Sequence, residues 1–136
     1  NGIKFTSNNF MEMIECIRFD GGRFDILNGF DEMLLCGMAV GARGGVGSTY
    51  NYSLRTYQNI YDAFMAGDLE QARAAQQESG DIVHVIINHG GGIRGGKASM
   101  KLVGIDCGDC RLPLAPYTEA EIARLDEELR AIGFKK

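Results

Sequence analysis

The sequence predicts a parallel α/β protein built from three strand–helix units followed by a run of helices. Three observations carry this expectation. Short segments with strand character precede helical apolar spacing three times in the first 67 residues. Glycine-rich breaks separate the units, and after Gly67 the pattern is helical only.

The elements follow in order. In NGIKFT, residues 1–6, Ile3 and Phe5 point one way and Lys4 and Thr6 the other, as period-two geometry requires. Ser7, Asn8 and Asn9 are capping residues, and Phe10, Met11, Met13, Ile14 and Ile17 recur at helical spacing up to Gly21 and Gly22. RFDILNG (23–29) is strand-like, and DEMLLCGMAV (31–40) reads as a buried helix stopped at Gly41. GGVG (44–47) supplies a third extended piece, and a helix is expected from Ser53. A long helix should run from Asp68 to about His89, with Gly90, Gly91 and Gly92 as its stop. A short helix over Lys97–Val103, the loop RLPLAP and a last helix complete the chain. That last helix opens on a Thr118–Glu121 capping box and carries the stripe Ile122, Leu125, Leu129 and Ile132. Residues 1–67 thus hold the three units, and 68–136 extend the same domain with helices. Three short parallel strands leave two open edges, so the chain reads as part of something larger.

Composition narrows the function classes. The 136 residues are 45% apolar and 24% charged, enough for one modest core. A net charge of −4, from 18 acidic and 14 basic residues, argues against nucleic acid as a partner. No apolar run reaches the roughly 18 residues that would cross a membrane. Four cysteines in a chain with long apolar segments imply a reducing, cytoplasmic setting. C-G-D-C at 107–110 lacks the second ligand pair of a zinc site, and reads more simply as loop cysteines. His84 and His89 are five apart and do not share a helix face, so no metal site is expected.

GARGGVGSTYN, residues 41–51, resembles a phosphate-cradling loop but has Gly47 where such a loop needs its lysine. A packed turn is the simpler reading, and nucleotide binding remains a weaker one. Lys4 lies either at a solvent edge or inside a barrel; in the second case desolvation would favour the free amine that imine chemistry needs. NGFDE, 28–32, can be a turn with Asp31 as helix cap and Glu32 as a first-turn charge. The candidates nevertheless share one position. Lys4 with Thr6, Gly29 with Asp31 and Glu32, and Gly47 with Ser48 all fall at the C-terminal end of an expected strand, where parallel barrels assemble their sites.

GIKFT, NGFDE and GGVGSTYN, in this order and spacing, resemble the C-terminal half of the N-acetylneuraminate lyase family, within the dihydrodipicolinate synthase superfamily of class I aldolases. The likeness runs from Gly2 through the third helix and returns at RLPL. It implies a (β/α)8 TIM barrel to which this chain contributes strands six to eight and the C-terminal helices. Such barrels take about 250 residues. The resemblance implies that Lys4 forms a Schiff base with substrate or pyruvate, with no cofactor, and that Thr6 sits beside the reacting carbons. Gly29, Asp31, Glu32, Gly47 and Ser48 would bind the hydroxylated tail of a sialic acid. The partner so implied is the N-terminal half, strands one to five, with its proton-relaying tyrosine and carboxylate-binding loop. Tyr50, Tyr52 and Tyr57 fall on the wrong segments to replace that tyrosine. A homotetramer of complete barrels is implied as well. Two alternatives stand beside this reading: a sister pyruvate-dependent aldolase such as a dihydrodipicolinate synthase or a keto-deoxy sugar acid aldolase, and an inactive structural fragment.

Overall fold

In the computed structural model, which describes residues 1–134, Gly2–Phe5 form β1 and Asp25–Asn28 form β2. The two pair in parallel, with Ile3 beside Ile26 and Lys4 beside Leu27. Period two sorts their side chains as the sequence suggests. Phe5 and Ile26 pack on Met13 of helix α1 (Phe10–Arg18), with Ile17, Phe24 and Ala42 around them. Lys4 stands on the other face and is exposed. Of the capping candidates, Asn9 takes the role, its side chain accepting from the Glu12 N–H. The helix is shorter than expected because a 3₁₀ turn, Phe19–Gly22, with Asp20 and Gly21 left-handed, replaces its last turn. Met11 and Ile14 remain exposed.

The third extended piece is reduced to a single parallel bridge between Asn28 and Gly45. The Asn28 N–H donates to Gly44 O at 2.9 Å and the Val46 N–H to Asn28 O at 2.9 Å, and the ladder ends there. Gly44 and Gly45 have no side chains to pack on either face, and a Cβ on Gly45 would run into the Tyr50 hydroxyl. The sheet of the described residues is therefore two strands and one bridge, not three strands.

The helix expected over 31–40 is also interrupted. Asp31–Met33 form a 3₁₀ turn, and helix α2 covers only Leu34–Ala39. Gln76 causes the break: its Oε1 accepts from the Leu35 N–H at 2.7 Å and its Nε2 approaches Asp31 O at 3.4 Å, the two groups a continuous helix would pair.

Helix α3 spans Tyr50–Met65, three residues earlier than its sequence start at Ser53. Ser53 does retain a non-helical backbone (φ −133°, ψ 33°), which kinks the helix. Helix α4 spans Leu69–Asn88, with Asp68 as N-cap, and stops at the left-handed Gly90. Helix α5 then covers Gly91–Leu102, beginning six residues before the expected Lys97. Its glycines serve packing here. A Cβ on Gly95 would stand 3.0 Å from Ile86 O, so the bare backbone lets α5 lie directly on α4.

Helix α6, Glu119–Ala131, has the predicted capping box. Leu125 and Leu129 of its stripe are fully buried, in a cluster with Tyr52, Ile82, Val85, Ile86, Ala98 and Phe134, while Ile132 is at the surface. A second cluster joins Leu34 and Met38 of α2 to Tyr57, Ile60 and Ala75. Arg94 fastens the 111–116 loop, donating to Ala115 O at 2.8 Å and to Glu121 Oε1 at 2.9 Å while its guanidinium lies 3.8 Å from the Tyr117 ring centroid. No helix of the described residues is long and apolar enough to cross a membrane.

Candidate active site

The three strand-end candidates meet at one end of the sheet. The Gly29 N–H donates to Phe5 O at 2.8 Å, which draws the exit of β2 against the exit of β1. Gly29 must be bare for this approach: a Cβ would overlap Thr6 Oγ1 and stand 3.0 Å from Lys4 Cε. Lys4, Thr6 and Gly29 are thus neighbours. Lys4 and Thr6 are exposed, and neither makes a side-chain hydrogen bond among the described residues.

Asp31 is buried two residues further on. Its Oδ2 accepts from the Thr49 N–H at 2.9 Å and also from the Thr49 hydroxyl. Both donors sit at the N-terminus of α3, where the helix dipole favours a carboxylate. Thr49 occupies the N-cap position of that helix, yet its side chain caps nothing within it, because its hydroxyl is turned to Asp31. Gly47 closes over the same carboxylate so tightly that a Cβ would overlap it. Asp31 Oδ1, on the Gly47 side, makes no hydrogen bond to the described residues.

A chain of hydroxyls continues inward. Thr49 Oγ1 lies 2.6 Å from the Tyr57 hydroxyl, which lies 3.0 Å from Ser79 Oγ. A carboxylate only accepts, so Thr49 spends its one proton on Asp31, Tyr57 donates to Thr49, and Ser79 donates to Tyr57. Burial pushes the Tyr57 phenol up to about 12 against the opposing effect of those two hydroxyl partners. Burial, followed by the charge of Asp31, also pushes Tyr50 up, so both phenols keep their protons at neutral pH.

Glu32 is half-buried and makes no hydrogen bond or ion pair among the described residues. Ser48 is exposed, and its backbone carbonyl is held by the Asn51 N–H (3.2 Å) and Asn51 Nδ2 (3.0 Å). Two groups result: an exposed end where Lys4 and Thr6 stand beside Gly29, and a braced end where Gly47 and Thr49 hold Asp31, with Glu32 and Ser48 next to them in sequence. Sequence reasoning passed over Thr49, Tyr57 and Ser79. The position of Thr49 immediately before a helix was the available signal, whereas Ser79 is brought in by the packing of α4 alone. Among the described residues no group of three His, Cys, Asp or Glu side chains could hold a metal ion.

The chain is similar to known proteins. The model of the dihydrodipicolinate synthetase family matches residues 1–132. An N-acetylneuraminate lyase of Gallus gallus is 38% identical over 133 residues, covering 96% of this chain and 43% of that protein. Among solved structures, an N-acetylneuraminate lyase of Proteus mirabilis superposes with a TM-score of 0.92 at 36% identity, over 99% of this chain and 45% of its own. One from Aliivibrio salmonicida gives 0.91 at 37% identity with the same coverage. The chain thus spans less than half the length of the relatives it matches, and corresponds to a C-terminal half.

Proposed function

The chain belongs to the dihydrodipicolinate synthetase family, and on that premise we propose that it supplies the imine-forming and sugar-binding half of an N-acetylneuraminate lyase site. In this reading β1, β2 and the 44–47 segment are strands six to eight of a (β/α)8 barrel. Strands one to five come from an N-terminal half that the activity requires, and complete barrels assemble as homotetramers. The observation that carries the proposal is that Gly29 sits against Lys4 and Thr6 while Asp31, two residues on, sits against Gly47 and Thr49.

The chemistry follows from those residues. The Lys4 amine adds to the C2 ketone of the open-chain sugar acid and water leaves, giving a protonated imine. A base takes the proton of the C4 hydroxyl, the C3–C4 bond breaks, and its electron pair is absorbed by the imine as an enamine of pyruvate. N-acetylmannosamine departs as the aldehyde. Protonation of the enamine at C3 and hydrolysis of the imine release pyruvate and restore Lys4. The base is assigned to the N-terminal half.

The braced end suits the remainder of the substrate. Asp31 Oδ1 and the Glu32 carboxylate are acceptors for sugar hydroxyls, and Ser48 adds a hydroxyl at the rim. Thr49, by holding Oδ2, fixes how Asp31 presents its other oxygen. Incubating the completed barrel with N-acetylneuraminate and measuring N-acetylmannosamine tests the proposal. Release is expected from the complete protein and none from this chain alone. Turnover of a different keto acid in its place would move the assignment to a sister pyruvate aldolase.

A further inference from the structure

Tyr52 lies one helical turn after Ser48, and its ring is built into the core with Ile86, Ala98 and Leu125. Its hydroxyl is buried and makes no hydrogen bond of ordinary geometry. A phenylalanine would fill the same volume without burying an unpaired hydroxyl, so the oxygen needs an explanation. Ser48 and Tyr52 line the same groove, one helical turn apart. Two glycines border the space between α3 and α5 at this point. A Cβ on Gly92 would stand 3.3 Å from Ser48 Oγ, and one on Gly96 3.7 Å from the edge of the Tyr52 ring. A groove there is lined by Ser48, Asn51, Tyr52, Gly92 and Gly96.

We infer that Tyr52 is a positioning residue for Ser48: with substrate bound, its hydroxyl donates to Ser48 Oγ and so turns the Ser48 proton toward an acceptor oxygen of the sugar tail. This rests on the functional reading above. Ser48 has one proton and two lone pairs; once a lone pair is taken from below by Tyr52, its own O–H is free to point outward. Burial pushes the Tyr52 phenol up, so it holds its proton and can serve as that donor.

The test is the kinetics and stability of Tyr52→Phe, Ser48→Ala and the double variant in the completed barrel. Tyr52→Phe should raise KM for N-acetylneuraminate by roughly 3- to 10-fold, the size of one hydrogen bond, with kcat little changed. KM for pyruvate in the condensing direction should not move, because pyruvate itself carries no sugar tail. Its thermal midpoint should be equal to or above that of the parent, because the only group removed is an unpaired buried hydroxyl. In the Ser48→Ala background the same substitution should add nothing to KM. An unchanged KM, an equal rise in the Ser48→Ala background, or a KM rise matched by a lower thermal midpoint each overturns the inference. A parent barrel that turns over no N-acetylneuraminate overturns the functional reading, and this inference with it.

Discussion

The two ends of the candidate site are held in contrasting ways. Lys4 and Thr6 project from a two-stranded sheet and are exposed, with no side-chain hydrogen bond among the described residues. Asp31 is buried, pinned at Oδ2 by both donors of Thr49, and backed through Tyr57 and Ser79 by helices α3 and α4. The chain therefore braces the Asp31 end out of its own helices, while the surroundings of the Lys4 amine are left to whatever packs against the open face of β1. On the proposed reading, that difference is why binding groups can be preorganised in a half barrel and chemistry cannot.

Substitutions can sharpen or break this contrast, and their expected effects on stability fall in a definite order. Leu125→Ala removes a fully buried side chain from the core against which α3, α4 and α5 pack. It should destabilise by about 2–5 kcal/mol in urea denaturation, and a loss below 1 kcal/mol, by the same rough scale, would show that this core does not brace the site. Thr49→Val keeps the shape but deletes the hydroxyl between Asp31 and Tyr57. The unpaired buried groups should cost about 1–3 kcal/mol, with KM for the sugar acid rising as Asp31 loosens.

Glu121 gives a pH-dependent effect. Its carboxyl is pulled from 4.5 to about 2 by the Thr118 N–H, the Arg94 guanidinium and the Thr118 hydroxyl. A pKa depressed in the folded state adds stability above the unfolded value, and that stability is lost as pH falls toward the folded one. The urea midpoints of the parent and Glu121→Gln should therefore differ at about pH 6 and converge as the pH drops through the 4.5-to-2 interval. A gap that persists unchanged to pH 2 would contradict the assignment. Lys4→Ala should have the smallest effect on stability, within about 0.5 kcal/mol, because the side chain is exposed and unbonded. If it destabilises as much as Thr49→Val, the contrast between the two ends fails.

Much of this was legible in the sequence for identifiable reasons. Alternation in NGIKFT and the strand-like run RFDILNG located both strands, and the Thr118–Glu121 spacing located the capping box, because each signal is local. The strand-end positions of Lys4 and Gly29 followed from the same local logic, and the two residues are neighbours in space. Tertiary effects account for what was missed. Gln76 reaches across 41 residues to Leu35 and cuts a helix that periodicity ran through to Val40. Ser53 read as the start of a helix and is a kink within it, since Thr49, engaged by Asp31, starts the helix earlier. Gly91 and Gly92 read as part of a helix stop, yet they lie within α5 together with Gly95 and Gly96, whose missing side chains let it approach α4 and Tyr52. Glycine is ambiguous in this way because one property, a missing Cβ, serves both turns and close packing.

The central claim is that Lys4 is the nucleophile of an aldolase site completed by an N-terminal half. Treating the completed barrel with pyruvate and borohydride, followed by peptide mass analysis, tests it most directly. The account predicts a stable reduced adduct on the peptide containing Lys4, lost in Lys4→Ala. An adduct on another lysine, or none at all in the folded complete protein, would contradict it.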